Sequence, residues 1–294
     1  MEKILSIDGG GVRGLIAANV LVEVEEQVGP INEYFDLITG TSTGAILAGL
    51  LAIGVSAKEA KELYEEKSDD IFDRRFRSRF GLSSLNYKYN NTNLVEILKD
   101  FFGDKKLSDF PVKTVINSFD INHMQPALFK SYKSNGDIPA WKAILSSTAA
   151  PTYFAPVDHE DKCLIDGGVL YNNPSLIALI ESQKIFDDEI KLLSIGTSDQ
   201  HTFYEKEDVK SWGMLKWIKP LMDIMMKGRV NTSHYLTEKY FERLKKEDNY
   251  LRIQQLLKED ISLDDTSNET KNKMNFIASA LVKSKKDQLS SFLL

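Results

Sequence analysis

Ser42 stands in Gly40-Thr41-Ser42-Thr43-Gly44, a G-x-S-x-G run. This spacing suits a nucleophile. A serine on a sharp strand-to-helix turn presents its hydroxyl outward, and small flanking residues let the backbone make the turn. The helix that follows points its positive end at the serine, which favours developing negative charge. Such a serine also needs a base and an oxyanion hole. Asp166, in Leu164-Ile165-Asp166-Gly167-Gly168, offers a base at the end of a short apolar run, with Gly167 and Gly168 clearing space beside it. A carboxylate in a water-poor pocket has a raised proton affinity and takes a serine proton directly. Histidine is the other candidate, and the chain has His123, His159, His201 and His234. A triad esterase with Asp166 and then His201 after the serine has the chain order of α/β-hydrolases. His201 lies in a polar stretch without glycine or apolar framing, where a solvent-exposed loop histidine is the simpler reading.

A third glycine cluster comes before both, in Ser6-Ile7-Asp8-Gly9-Gly10-Gly11-Val12-Arg13-Gly14. Its run from Gly9 to Gly14 fits G-x-G-x-x-G between a strand and a helix, the dinucleotide fingerprint. That reading, with NAD or ATP as ligand, also requires an acidic residue ending the second strand. Here the second strand ends in Thr39-Gly40-Thr41-Ser42, so no carboxylate is available for a ribose. The alternative is an anion-binding nest of backbone N–H groups. Beside a nucleophilic serine, such a nest is an oxyanion hole. Arg13 either holds this loop or meets a substrate phosphate.

These residues must be positioned by an alternation of short strands and helices. Strands are predicted over 3–8, 35–40, 113–121, 127–131, 162–168 and 190–196. Between them, helices are predicted from residue 17 to the Gly29-Pro30 stop, over 44–55, over 56–67 with a capping serine, over 92–103 and 139–151, and after Pro174. Alternating strands and helices point to an α/β fold with a mainly parallel sheet. Ligands of such sheets bind at the carboxyl edge of the strands, where all three glycine clusters fall. After about residue 200 the strand signals stop. Helical patterns remain over roughly 212–228, 232–247 and 271–290, around a polar acidic loop at 258–270.

The three motifs in this order resemble the patatin-like phospholipase family, and so do 145–156 (LSSTAAPTYFAP) and 166–174 (DGGVLYNNP); the resemblance covers roughly residues 3–200. It implies a three-layer α/β/α catalytic domain over 1–200, with 201–294 as a C-terminal helical extension. It implies a Ser42–Asp166 dyad, and an oxyanion hole from the loop with Gly9, Gly10, Gly11 and Arg13, supported by Gly14, Gly40, Gly44, Gly167 and Gly168. The implied activity is hydrolysis of phospholipid, lysophospholipid or other lipid esters, with no metal or cofactor. A reading from another class is a non-catalytic lipid-binding or storage protein that keeps the fold, against which both dyad residues stand intact.

Composition is compatible with this. The 294 residues are 42% hydrophobic and 27% charged, ordinary for a globular protein. A net charge of −6 gives no electrostatic reason to expect nucleic acid. Cys163 is the single cysteine, which excludes an intrachain disulfide. The N-terminal residues lack the pattern of a signal peptide, and the apolar run 44–55 is too short to span a bilayer. The expectation is a cytoplasmic protein that visits membrane surfaces peripherally. Two stretches suit a lipid surface: 72–80, with four arginines among phenylalanines, and 211–228, with Leu215, Ile218, Met222 and Met225 on one helical face. Solvated-loop and core-packing readings stand beside them. The C-terminal helices are also candidates for a homo-oligomer contact or a regulatory-ligand site.

Overall fold

The computed structural model describes residues 1–72, 87–200, 204–257, 259 and 261–294. In chain order the strands are β1 (Glu2–Ile7), β2 (Leu37–Thr41), β3 (Lys113–Asp120), β4 (Gln125–Lys130), β5 (Val157–His159), β6 (Lys162–Asp166), β7 (Ile190–Ile195), β8 (Asp199–Gln200), β9 (Tyr250–Ile253) and β10 (Leu256–Leu257). The helices are α1 (Gly14–Val28), α2 (Ile31–Tyr34), α3 (Thr43–Ala52), α4 (Ala57–Ile71), α5 (Thr92–Phe102), α6 (Ala140–Thr148), α7 (Gly168–Tyr171), α8 (Ser175–Ile185), α9 (Lys206–Lys210), α10 (Met214–Leu244) and α11 (Asn268–Leu293).

Five strands lie parallel in the order β9, β7, β1, β2, β3. Their side chains alternate between two separate cores. Leu5, Ile7, Ile38, Ile116, Leu193 and Ile195 pack with α1, α3 and α11. Ile4, Leu37, Val115 and Leu192 pack on the opposite face with α8 and Phe241 of α10. A sheet apolar on both faces is buried on both faces, and the result is a three-layer α/β/α sandwich. Most predicted elements form within a few residues of the expected bounds. The capping serine is Ser56, whose hydroxyl accepts from the Glu59 N–H while Glu59 reaches back to the Ser56 N–H.

The carboxyl end of β3 organises the site. Antiparallel β4 covers one edge of β3 along residues 115–120. The other edge is shared. Parallel β2 pairs with it as far as Thr41 opposite Asn117, and antiparallel β6 comes from the far end to put Asp166 opposite Ser118. The two strands therefore meet head-on, each ending at the next residue of β3.

Two expectations for the C-terminal part are corrected. Strand structure does not stop at residue 200: β9 adds to the central sheet beside β7. Four residues are too few for periodicity to mark them as a strand. The helices predicted over 212–228 and 232–247 are a single helix, α10, which continues through Gly228. A helical glycine lowers propensity by only about 1 kcal/mol, less than the packing of Phe241 and Val230 supplies. The basic segment 72–80 lies outside the described residues from position 73 on, as do the side chains of Leu215, Ile218, Met222 and Met225. Among the described residues, no helix is long and apolar enough to cross a membrane.

Helix α11 is bound to α1 by Asn19 Nδ2 to Asn275 Oδ1 (2.8 Å) and by Ser290 Oγ to Gln27 Oε1 (3.0 Å), and its Leu281 is buried in the same core. Leu281→Ala should cost about 2–5 kcal/mol. Urea unfolding followed by fluorescence and by circular dichroism should show one shared transition, whereas an early, separate loss of helix would mean that α11 unfolds alone.

Candidate active site

Ser42 sits between β2 and α3 with φ 53° and ψ −123°. This left-handed conformation is costly for a residue with a Cβ and persists only where its surroundings enforce it. Here they do. Every residue of α3 is buried, and the Ser42 N–H donates to Ser147 Oγ of α6 at 2.9 Å. Thr43 is held by Tyr64 of α4, whose hydroxyl donates to the Thr43 carbonyl at 2.9 Å. Glycine is required on both sides by close approach. A Cβ on Gly40 would lie 2.1 Å from the Gly44 carbonyl oxygen, and one on Gly44 would lie 2.3 Å from that of Ile7.

The Ser42 hydroxyl donates to Asp166 Oδ2 at 2.6 Å, and the Gly168 N–H donates to Asp166 Oδ1 at 2.7 Å. Each carboxylate oxygen is thus oriented by a different donor. Asp166 is 5% exposed. Burial pushes its pKa up from 3.8 to about 6, against the opposing effect of the two hydrogen bonds. Around the strand junction, Thr41 Oγ1 lies 2.7 Å from both Asn117 Oδ1 and the Tyr171 carbonyl oxygen.

The glycine loop closes the third side. Gly9 faces Ser42 and Asn172: a Cβ on it would come 3.2 Å from Ser42 Cβ and 2.3 Å from Asn172 Oδ1. Its N–H already donates to the Asn172 carbonyl (2.9 Å), and its own carbonyl accepts from Thr197 Oγ1 (2.7 Å). The Val12 N–H donates to the Leu263 carbonyl (2.9 Å) and the Arg13 N–H to the Gly10 carbonyl (3.2 Å). Among the described residues, no acceptor meets the N–H of Gly10 or Gly11. Gly11 has φ 58°, and Gly14 opens α1 beside Thr43 and Tyr64. Arg13 Nε lies 3.4 Å from the Gly10 carbonyl oxygen, so its side chain braces the loop.

Ser42, Asp166 and the Gly9–Gly11 loop are therefore brought together. The histidines are not. His123 pairs with Asp120 (2.6 Å), His234 Nδ1 lies 3.0 Å from the Tyr250 hydroxyl, and His159 packs near Phe129. His201 lies outside the described residues. No group of three or more potential metal ligands occurs among the described residues. Sequence reasoning missed Ser147, Asn117, Asn172, Thr197 and Arg252. Arg252 forms a two-bond ion pair with Asp8 at 2.8 and 2.5 Å.

The family model described as patatin-like phospholipase matches residues 5–179. Patatin-like protein 4 of Arabidopsis thaliana is 31% identical over 331 residues, covering 94% of this chain and 81% of its own. A potato (Solanum tuberosum) relative described as probable inactive patatin-3-Kuras 1 is 28% identical, covering 87% of this chain and 79% of its own. The crystal structure of VipD from Legionella pneumophila shares the fold, with a TM-score of 0.51 at 14% identity over 96% of this chain and 67% of that one.

A pKa of about 6 in the fold against 3.8 outside it means that the native state binds more protons between those values. The ionised Asp166 therefore costs the fold about 3 kcal/mol above pH 6, and this cost disappears as pH falls toward 4. Asp166→Asn keeps an acceptor for the Gly168 N–H. It should be more stable than wild type by roughly 1–3 kcal/mol at pH 8 and gain nothing at pH 4, as read by urea unfolding at both pH values.

Proposed function

Because the chain belongs to the patatin-like phospholipase family, a family of lipid acyl hydrolases, we propose that it cleaves carboxylic esters of phospholipids or lysophospholipids through Ser42 and Asp166. The observation that carries this reading is the 2.6 Å contact between the Ser42 hydroxyl and a carboxylate that burial has made basic. In this mechanism Asp166 takes the Ser42 proton as Oγ attacks the ester carbonyl. The carbonyl electron pair moves onto oxygen, and the N–H groups of Gly10 and Gly11 receive that charge. Gly9 contributes close approach rather than a donor, since its N–H is engaged by Asn172. The intermediate collapses as the alcohol or lysolipid leaves with the proton from Asp166. Water, deprotonated by Asp166, then attacks the acyl-serine and releases the fatty acid.

A base with a pKa near 6 is ionised at neutral pH yet still basic enough to accept a proton, the range in which general-base catalysis works best. A peripheral lipid contact is supported by the start of α10, where Met214 is exposed between the edge-to-face partners Trp212 and Trp217 and Ile224 is exposed about two turns further on.

Mass spectrometry of products from mixed phospholipids should show Ser42-dependent release of fatty acid. Ser42→Ala and Asp166→Asn should each lower turnover on the order of 10³-fold or more, and His201→Ala should leave it near wild type. Activity should fall as pH drops through about 6, because protonation removes the base. Wild type that releases no fatty acid and whose Ser42 resists a fluorophosphonate would overturn the hydrolase reading in favour of a lipid-binding protein.

A further inference from the structure

Asp8 directly follows β1, its N–H donating to the Ile195 carbonyl at 3.0 Å, and it is the residue from which the chain enters Gly9, Gly10 and Gly11. Its carboxylate is buried, 2% exposed, and faces Arg252 of β9, whose side chain is 8% exposed. Nη1 reaches Asp8 Oδ1 at 2.8 Å, Nη2 reaches Oδ2 at 2.5 Å, and Nη1 also donates to Ser194 Oγ of β7 at 2.6 Å. The sheet register accounts for this reach. Arg252 is level with Ser194 on β7, and Ser194 is level with Ser6 on β1, so the guanidinium crosses one strand to find Asp8. A planar fork bound at both oxygens fixes the plane of the carboxylate as well as its position, which an ammonium cannot do.

We propose that Arg252, well outside residues 5–179, is the positioning residue of the oxyanion loop. Oxyanion donors act only when held within a fraction of an ångström of the developing charge. Thr197 and Asn172 hold the Gly9 carbonyl, and the Leu263 carbonyl holds Val12. Arg252 holds the residue from which the loop departs. It also lines a cavity of about 400 Å³ with His234, Glu238, Tyr250 and Lys285, which offers a small cation a route to its place. The inference rests on the hydrolase reading above.

The test is steady-state hydrolysis of a soluble p-nitrophenyl ester by the full chain, comparing wild type, Ser42→Ala, Arg252→Lys and Arg252→Ala. Arg252→Lys, which keeps the charge and loses the fork, should lower kcat about tenfold to hundredfold with KM within about threefold. Arg252→Ala should lose more, and millimolar guanidinium should restore part of its kcat, an effect opposite to that of a denaturant. A folded Arg252→Lys with wild-type kcat, or a loss confined to KM, overturns the inference alone. So does an Arg252→Ala that folds and gains nothing from guanidinium. If Arg252→Ala does not fold, Arg252→Lys decides. A wild type without Ser42-dependent turnover overturns the hydrolase reading, and this inference with it.

Discussion

The meeting of two strands along one edge of β3 is the constraint on which the rest of the site depends. β2 arrives parallel and stops with Thr41 opposite Asn117; β6 arrives antiparallel and stops with Asp166 opposite Ser118. Two consecutive residues of one strand thus set the separation of the Ser42 strand from the Asp166 carboxylate. Side chains alternate along a strand, so a slip of one residue in β6 would turn Asp166 to the other face of the sheet. Beside the junction, the side chains of Thr41 and Asn117 meet each other and the Tyr171 carbonyl of α7, which ties the end of β2 and β3 to the turn that follows β6. The hydrogen bond from Ser42 to Asp166 is therefore a consequence of sheet register, maintained by two pairings that are each cooperative.

That register holds two unfavourable features in place. Ser42 has a left-handed backbone, a strain of about 1–3 kcal/mol, and Asp166 is a carboxylate held away from water. Neither would persist at a free chain end. The fully buried α3, the Ser147 hydroxyl and the Tyr64–Thr43 contacts leave Ser42 no other conformation to relax into. The Gly168 N–H fixes the one Asp166 oxygen that does not receive Ser42. Strain and dryness are stored at one place because the two surrounding cores, one on each face of the sheet, are ordinary and well packed.

The legible parts of this arrangement share a physical cause. Glycine is required where a Cβ would strike a neighbour, backbone at Gly11, Gly40, Gly44 and Gly167 and the Asn172 and Thr197 side chains at Gly9 and Gly10, so these glycines mark the turns in the sequence itself. The strands β1, β2 and β7 were legible because burial on both faces leaves short apolar runs. What escaped carries no local mark of its partner, even where it lies in a stretch that resembles the family. Ser147 and Asn172 are polar residues whose meaning lies in a partner more than a hundred positions away, Ser42 and Gly9 respectively. Arg252 is separated from Asp8 by 244 positions, and its four-residue strand reads as an irregular stretch between charged segments. Histidine placement could be argued only by exclusion in the sequence, whereas the structure gives each described histidine a partner of its own.

The pairing of β9 with β7 changes what the segment beyond residue 200 means physically. Closing a loop costs free energy that grows only logarithmically with its length. The excursion from β8 through α10 can therefore differ widely in length while β9 still returns to the same edge. Two contacts depend on that return: the Arg252 fork on Asp8, and the Leu263 carbonyl that binds the Val12 N–H and would meet a Cβ on Gly11 at 2.2 Å. Asp264, next in the chain, accepts from the Tyr89 hydroxyl and pairs with Lys88, which fastens the same segment to the stretch that leads into α5. The glycine loop is consequently gripped from the N-terminal strand on one side and from residues 252–264 on the other. A loop made almost wholly of glycine has the largest conformational entropy to lose, and its order must come from contacts outside itself. In this chain a substantial share of them comes from residues beyond 250.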